Sequence, residues 1–439
     1  MKTNKIILTG IALGVLCLAS CEKSDYPDRH YATEGLPTVQ YVRYADQDIL
    51  ITQGYMDEIV CLVGENMKSI NKVFFNDRQA ILNTSYLTAN TLIVAIPSEQ
   101  AVEKTDKIYL YNKAGECATF DFKVLPPSPK LSSMSFEYAA EGETVSLTGK
   151  YFMDVQSVSF TGAEAKEYTV VSVEQIDVKV PEGAQVGPVT VTTESGSITS
   201  KFYYKDNRGM LFTFEDGTLQ PQGWNSTGVV SNPSDGVSGN YLQFGGGDGK
   251  SLPADGSAWT EGDGGYSMPY WPGSWSEPQD YTGAPRLTDI VDFTNYSSMA
   301  FKFEMNIPAD TPWSSNAMQI IPASTKYVTL ASACTDIYGV EVAAANNTYF
   351  HPADDGSYDY SLPRAWYAPW QSTGSFTTEG KWITVTIPIS EFTYNWDGTP
   401  ATGQLDATSF ESLLIFFHGG EGTECAPIVK IDNIRVVAN

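Results

Sequence analysis

The feature that most narrows the fold of this chain is an internal repeat. Val60, Leu62 and Gly64 recur as Val145, Leu147 and Gly149, a displacement of 85 residues, and Val73 and Phe75 recur as Val158 and Phe160 at the same displacement. Pro97 closes the run Leu92–Ile96 as Pro181 closes Ile176–Val180; Gly115 then answers Gly196, and Phe120 answers Phe202. A period of this length signals one folding unit used twice. Inside each unit, short runs alternate apolar and polar residues and end at Gly, Pro, Asn or Ser. Alternation sends one face of a strand into a core and the other to water. Each unit, about 80–90 residues long, therefore predicts an immunoglobulin-like antiparallel sandwich. Leu125-Pro126-Pro127-Ser128-Pro129 reads as a stiff link between the units, and a second boundary falls near Lys205–Gly209.

The remaining region, 208–439, also alternates, at Leu211–Phe214, Met299–Met305, Trp382–Ile387, Leu413–Phe417 and Val429–Val437. No dozen residues carry a helical period. The expectation is an all-β chain: two tandem sandwiches, 37–126 and 127–207, followed by a larger β-sandwich or jelly roll. All nine Trp lie beyond residue 223, so the last domain is chemically distinct. Tyr270, Trp271 and Trp275 stand in a Gly, Ser and Pro context that reads as a surface loop. Trp313 follows Asp310-Thr311-Pro312, just outside a strand. Trp366, Tyr367 and Trp370 form a second group, while Trp382 opens an alternating strand and reads as core. A pyranose ring has an apolar C–H face and a rim of hydroxyls, which suits flat aromatic side chains flanked by polar ones. Tyr270, Trp271, Trp275 and Trp313, then Trp366, Tyr367 and Trp370, are the candidate glycan-binding residues.

At the other end, Lys2 and Lys5 precede an uncharged run, Ile6–Ala19, which has the form of an export signal over residues 1–20. Leu18-Ala19-Ser20-Cys21 resembles a bacterial lipobox, which implies lipidation at Cys21. Glu22-Lys23-Ser24-Asp25 resembles the surface-export tag of Bacteroidota lipoproteins. Residues 21–36 then read as a tether, and the expected location is the outer face of the outer membrane, held by acyl chains. A net charge of −25 opposes nucleic acid as a partner. Three His leave little room for imidazole chemistry, no metal-ligand or cofactor motif is complete, and the turns at 247–249 and 354–356 match no full calcium loop. Cys61 with Cys117 and Cys334 with Cys425 each fall inside one domain, so two disulfides and four thiols are equally open readings.

The paired units resemble the IPT/TIG family, on Gly64-Glu65-Asn66-Met67 and Gly149-Lys150-Tyr151-Phe152, the Val-x-Phe strands and the late glycine turn. Together with the lipobox, the stretches Arg364–Trp370, Gly374-Ser375-Phe376, Lys381–Pro388, Phe416–Gly420 and Asp432-Asn433-Ile434-Arg435 resemble the surface glycan-binding lipoproteins of Sus-like polysaccharide utilisation systems. That resemblance implies a non-catalytic protein that captures a plant-type β-glycan, xyloglucan or mixed-linkage β-glucan. It also implies a TonB-dependent transporter and its lidding lipoprotein as partners. Two other classes stand beside it. A surface adhesin would use the same aromatic loops on a protein. A glycoside hydrolase would need a carboxyl pair, such as Glu261 with Asp263, Asp354 with Asp355 or Glu421 with Glu424, none of which lies in a catalytic motif.

Overall fold

The structure, a computed structural model, describes residues 35–221, 228–247, 250–257, 265–270, 285–324, 334–335, 341–342 and 363–439. Helix among them is confined to short 3-10 turns, and the fold is all-β. The chain divides into two compact units, residues 1–127 and 128–439.

In the first unit, Leu50–Ile51, Thr38–Tyr44, Ile59–Glu65 and Thr91–Ala95 form one sheet in that order. Arg78–Gln79, Ile70–Phe75, Lys107–Asn112 and Cys117–Asp121 form the other. Val60, Leu62, Val73, Phe75, Ile108 and Leu110 fill the space between. The second unit opens with the same sandwich. Lys130–Met134, Thr144–Lys150, Gln175–Lys179 and Tyr168–Ser172 pack against Ala163–Glu164, Val155–Phe160, Gly187–Thr193 and Gly196–Tyr204. The shared glycine of the two repeats has a steric cause. A Cβ on Gly64 would lie 1.8 Å from the Thr38 carbonyl oxygen, and one on Gly149 2.0 Å from that of Lys130. Two residues on, Asn66 and Tyr151 both turn through a left-handed conformation, with φ of 56° and 60°. Each repeat thus presses its first strand onto a side-chain-free point and then turns sharply.

The rest of the second unit is a larger sandwich. One sheet runs Val229–Val230, Tyr241–Phe244, Val429–Ala438, Met299–Asn306 and Ile383–Pro388, with Met210–Phe212 also paired to the long C-terminal strand. The facing sheet runs Ser267–Tyr270, Ser412–Phe417, Met318–Ala323 and Ala365–Tyr367. Phe244, Phe303, Ile320, Ile415, Phe417 and Ile431 meet between them. Trp382, expected in the core, is only half-buried. It lies at the outside of the larger sheet, where its indole N–H donates to the Asp235 carbonyl at 2.7 Å.

The two sandwiches of this unit are joined by buried charge. Glu137, on the smaller one, accepts hydrogen bonds from Lys302 and, at 2.6 Å, from Arg435 of the larger. Arg435 Nη2 also lies 2.8 Å from Glu304 Oε1, and all four side chains are almost wholly buried. Thr384 adds three bonds. Its Oγ1 accepts from the Glu137 N–H at 2.7 Å and donates to Glu304 at 2.6 Å, and its backbone N–H reaches the Ser135 carbonyl at 2.8 Å. Nearby Asp432 is buried, with Ser238 and the Asn433 N–H as donors. Burial, and the charges of Glu304 and Glu215, push its carboxyl up to about 8.

No disulfide joins Cys61 to Cys117: they lie on different sheets and both are free thiols, as is Cys425, whose sulfur accepts from the Ser314 N–H at 3.3 Å.

Three outcomes are expected. Gly64→Ala or Gly149→Ala should lower stability by about 1–3 kcal/mol through forced displacement of a paired strand, read by urea unfolding. Glu137→Ala strands Lys302 and Arg435 without a shared anion and should cost about 3–5 kcal/mol, read the same way on the second unit's transition. Asp432 holds its proton in the folded state to higher pH than in the unfolded chain. Its stabilising contribution is therefore complete below about pH 4 and lost as pH rises to about 8. The gain in melting temperature of Asp432→Asn over the parent should accordingly grow across that window.

Candidate functional site

Side chains on the smaller sheet of the C-terminal sandwich alternate between the core and an outer face. Met318 and Ile320 point inward, whereas Gln319, Ile321 and Ala323 do not. Register sets four residues in a row across the outer face: Ser267 opposite Phe416, Phe416 opposite Gln319, and Gln319 opposite Trp366. The edge strand Ala365–Tyr367 thus presents Trp366 outward while Ala365 and Tyr367 face the core.

The Trp366 ring is held by backbone. Cβ atoms placed on Gly398 and Gly419 would lie 3.0 and 2.5 Å from the indole, and both glycines turn at positive φ, 82° and 69°. No larger residue could bring the chain so close in that conformation. Tyr394, 38% exposed, stands beside the indole with ring centres 6.4 Å apart. Trp396 and His418 follow, 5.7 Å apart and tilted by 31°, and His418 lies over Phe416 at 5.6 Å. Trp366, Trp396 and His418 are partly exposed.

Beneath these rings lies a buried polar tie. Gln319, wholly buried, donates through Nε2 to the carbonyls of Trp396 at 2.7 Å and His418 at 2.8 Å. Its Oε1 accepts from Arg364 Nη1 at 3.0 Å, and Arg364 is also wholly buried. An amide between two carbonyls fixes the spacing of the 394–400 turn and the exit of the Ser412–Phe417 strand, and with it the rings they carry. The result is an aromatic shelf braced from below by buried hydrogen bonds.

The seven candidates separate sharply. Trp366 belongs to the shelf. Tyr367 lies behind it, half-buried against Phe303 and Trp313, and burial holds its phenol well above the usual range. Tyr270, Trp313 and Trp370 are in the core, which corrects their assignment as exposed rings. Tyr270 is at the end of an edge strand and donates to the Pro285 carbonyl at 2.7 Å. The turn after Pro312 folds Trp313 inward, where its N–H meets the Ser315 and Asn316 carbonyls at 2.7 and 2.9 Å. A 3-10 turn over Pro369–Ser372 does the same for Trp370, whose N–H approaches the Asn316 carbonyl at 3.4 Å. Rings so enclosed and satisfied have no face left for a ligand. Trp271, Trp275 and Cys21 lie outside the described residues. Tyr394, Trp396, Gln319 and Arg364 were not among the candidates. The one signal for them was Gly419-Gly420 after His418, a place where backbone comes close to something large.

Glu421 and Glu424 are exposed. Among the described residues the two carboxyls with raised pKa, Glu304 at about 7 and Asp432 at about 8, belong to the other sheet and are raised first by burial. Among the described residues no group of three or more His, Cys, Asp or Glu could hold a metal ion.

Comparison with known proteins is consistent with this architecture. Residues 204–438 match the family model described as the surface glycan-binding protein B xyloglucan binding domain. The crystal structure of surface glycan-binding protein PbSGBP-B from Prevotella bryantii is 37% identical, with a TM-score of 0.80 over 92% of this chain and 99% of that one. An IPT/TIG domain-containing protein of Bacteroides ovatus is 26% identical over 167 residues, 36% of this chain; the match spans about a third, 32%, of that relative's length. With more than half of its length matched by the family model and a 37% identical relative covered almost end to end, this chain belongs to the surface glycan-binding protein B family.

Proposed function

We propose that the C-terminal domain captures a neutral β-linked polysaccharide, xyloglucan or mixed-linkage β-glucan, on the partly exposed aromatic shelf beside the Trp366 edge of its smaller sheet, and does not cleave it. The observation that carries this reading is the shelf of Trp366, Tyr394, Trp396 and His418 over the Gln319–Arg364 tie, within a domain whose family model is described as xyloglucan binding. Indole and phenol faces cover the C–H face of a pyranose and give large contact area at little entropic cost. Trp271 and Trp275 remain part of the proposed site. The chain is held at the outer face of the outer membrane through a lipid on Cys21, and works beside a TonB-dependent transporter and its lidding lipoprotein. Strong negative charge suits this role, since a neutral polymer is not repelled by it.

The test is native affinity electrophoresis of residues 22–439 through gels carrying xyloglucan, mixed-linkage glucan, xylan, mannan, pectin or α-glucan. Retardation is expected in a β-glucan gel, with no shortening of the polymer. Trp366→Ala should weaken binding about tenfold, equivalent to about 1.4 kcal/mol; because the ring also packs on Gly398 and Gly419 the melting temperature should fall as well, so affinity is compared at a temperature where circular dichroism shows the domain folded. Gln319→Ala should weaken it as well, by loosening the turn that carries Trp396. No retardation of the parent in any gel would refute the reading, and shortened polymer would replace capture by hydrolysis.

A further inference from the structure

The first sandwich, which the family's glycan-binding domain does not include, has an outward face unlike its counterpart in the second. On the sheet Arg78–Gln79, Ile70–Phe75, Lys107–Asn112 and Cys117–Asp121, register sets Gln79, Phe74, Tyr109 and Thr119 in one row. Lys72, Tyr111 and Cys117 form the next. Their inward neighbours Val73, Phe75, Ile108 and Leu110 are buried, so these rows face out. Phe74, Tyr109 and Tyr111 are each partly exposed, with the Phe74 and Tyr111 ring centres 5.7 Å apart at 77°.

The second sandwich supplies an internal control. By the same pairing, Phe74, Tyr109 and Tyr111 correspond to Ser159, Thr190 and Thr192. There the outward face is a ladder of hydroxyls, Thr190 to Thr199 and Thr192 to Ser197, each at 2.9 Å. The fold therefore does not require aromatic residues at these positions; one repeat carries them and its twin does without. Charge narrows what such a face can take. Lys107 and Asp121 are paired at 2.5 Å, and the two rows hold Lys72 alone as a charged group. An anionic ligand meets the repulsion of a chain at −25, and Lys72, the one charge in the two rows, repels a polycation. Three partly exposed rings edged by Gln79, Thr119 and Lys72 suit a neutral, hydroxyl-rimmed ligand.

We propose that this face is a second, weaker contact for the neutral polysaccharide bound by the C-terminal domain. The proposal rests on that glycan-binding reading. Two weak contacts on one long polymer multiply, whereas a short oligosaccharide gains from one at a time.

The test replaces the three rings by the residues of the second repeat: Phe74→Ser, Tyr109→Thr and Tyr111→Thr together in residues 22–439. Circular dichroism and thermal unfolding check that the sandwich survives. Binding to the polysaccharide in affinity gels is expected to fall roughly tenfold, while calorimetry with a short oligosaccharide of the same glycan gives the parent affinity. In a Trp366→Ala background, the residual retardation by polymer should vanish when the three changes are added. A folded triple variant that binds polymer like the parent overturns the second contact and leaves the C-terminal site standing. Failure of the parent itself to bind any polymer overturns the glycan reading, and this proposal with it. Should the triple variant not fold, Tyr109→Thr alone is measured, with a threefold loss on polymer and none on oligosaccharide expected, and no loss on polymer counting against the proposal.

Discussion

The second unit depends on one carboxylate shared by two sandwiches. Glu137 comes from the smaller, while Lys302, Glu304 and Arg435 come from adjacent strands of the larger. Two anions and two cations balance, and Thr384 supplies further hydrogen bonds. Taking four charges out of water is expensive, and only close geometry recovers the cost. Such a cluster adds less net stability than apolar packing of equal size would, but it is intolerant of misplacement. A sandwich that slid by one strand spacing would leave a charge buried alone. The network therefore fixes alignment, and with it the direction in which the aromatic shelf faces relative to the second repeat.

How much of this could be read beforehand depended on the range over which each feature is written. Strands in all three sandwiches are local patterns of alternation, so the runs at Met299, Trp382, Leu413 and Val429 reappear within a residue or so as strands. The repeat was legible for the same reason, and Gly64 and Gly149 mark it because their strands touch backbone at that point. Glu137 and Arg435 are 298 positions apart, and no local pattern announces them. Gln319 is a lone polar residue in an apolar run; its meaning depends on register with Trp366 and Phe416.

The aromatic assignments went astray for a related reason. Proline and glycine around Tyr270 read as a loop, yet Ser267–Tyr270 is an edge strand, where a residue such as Pro269 is tolerated. Pro312 and Pro369 likewise marked turns, but tight turns can fold an indole inward as readily as outward. What separates Trp366 from Trp313 is which side of the sheet each ends up on. Trp366 is outward by strand alternation, and its exposure follows from a period of two that the three-residue strand is too short to advertise.

The shared carboxylate also bears on how these parts can be moved between proteins. The boundary suggested by composition, near residue 207, runs through the interface: a fragment beginning there keeps Lys302 and Arg435 but leaves Glu137 behind. A graft that carries the glycan-binding domain into another chain should start at Ser128, where the compact unit begins. By the same logic, recombination in nature that keeps this network intact would pass on the second sandwich together with the domain it supports.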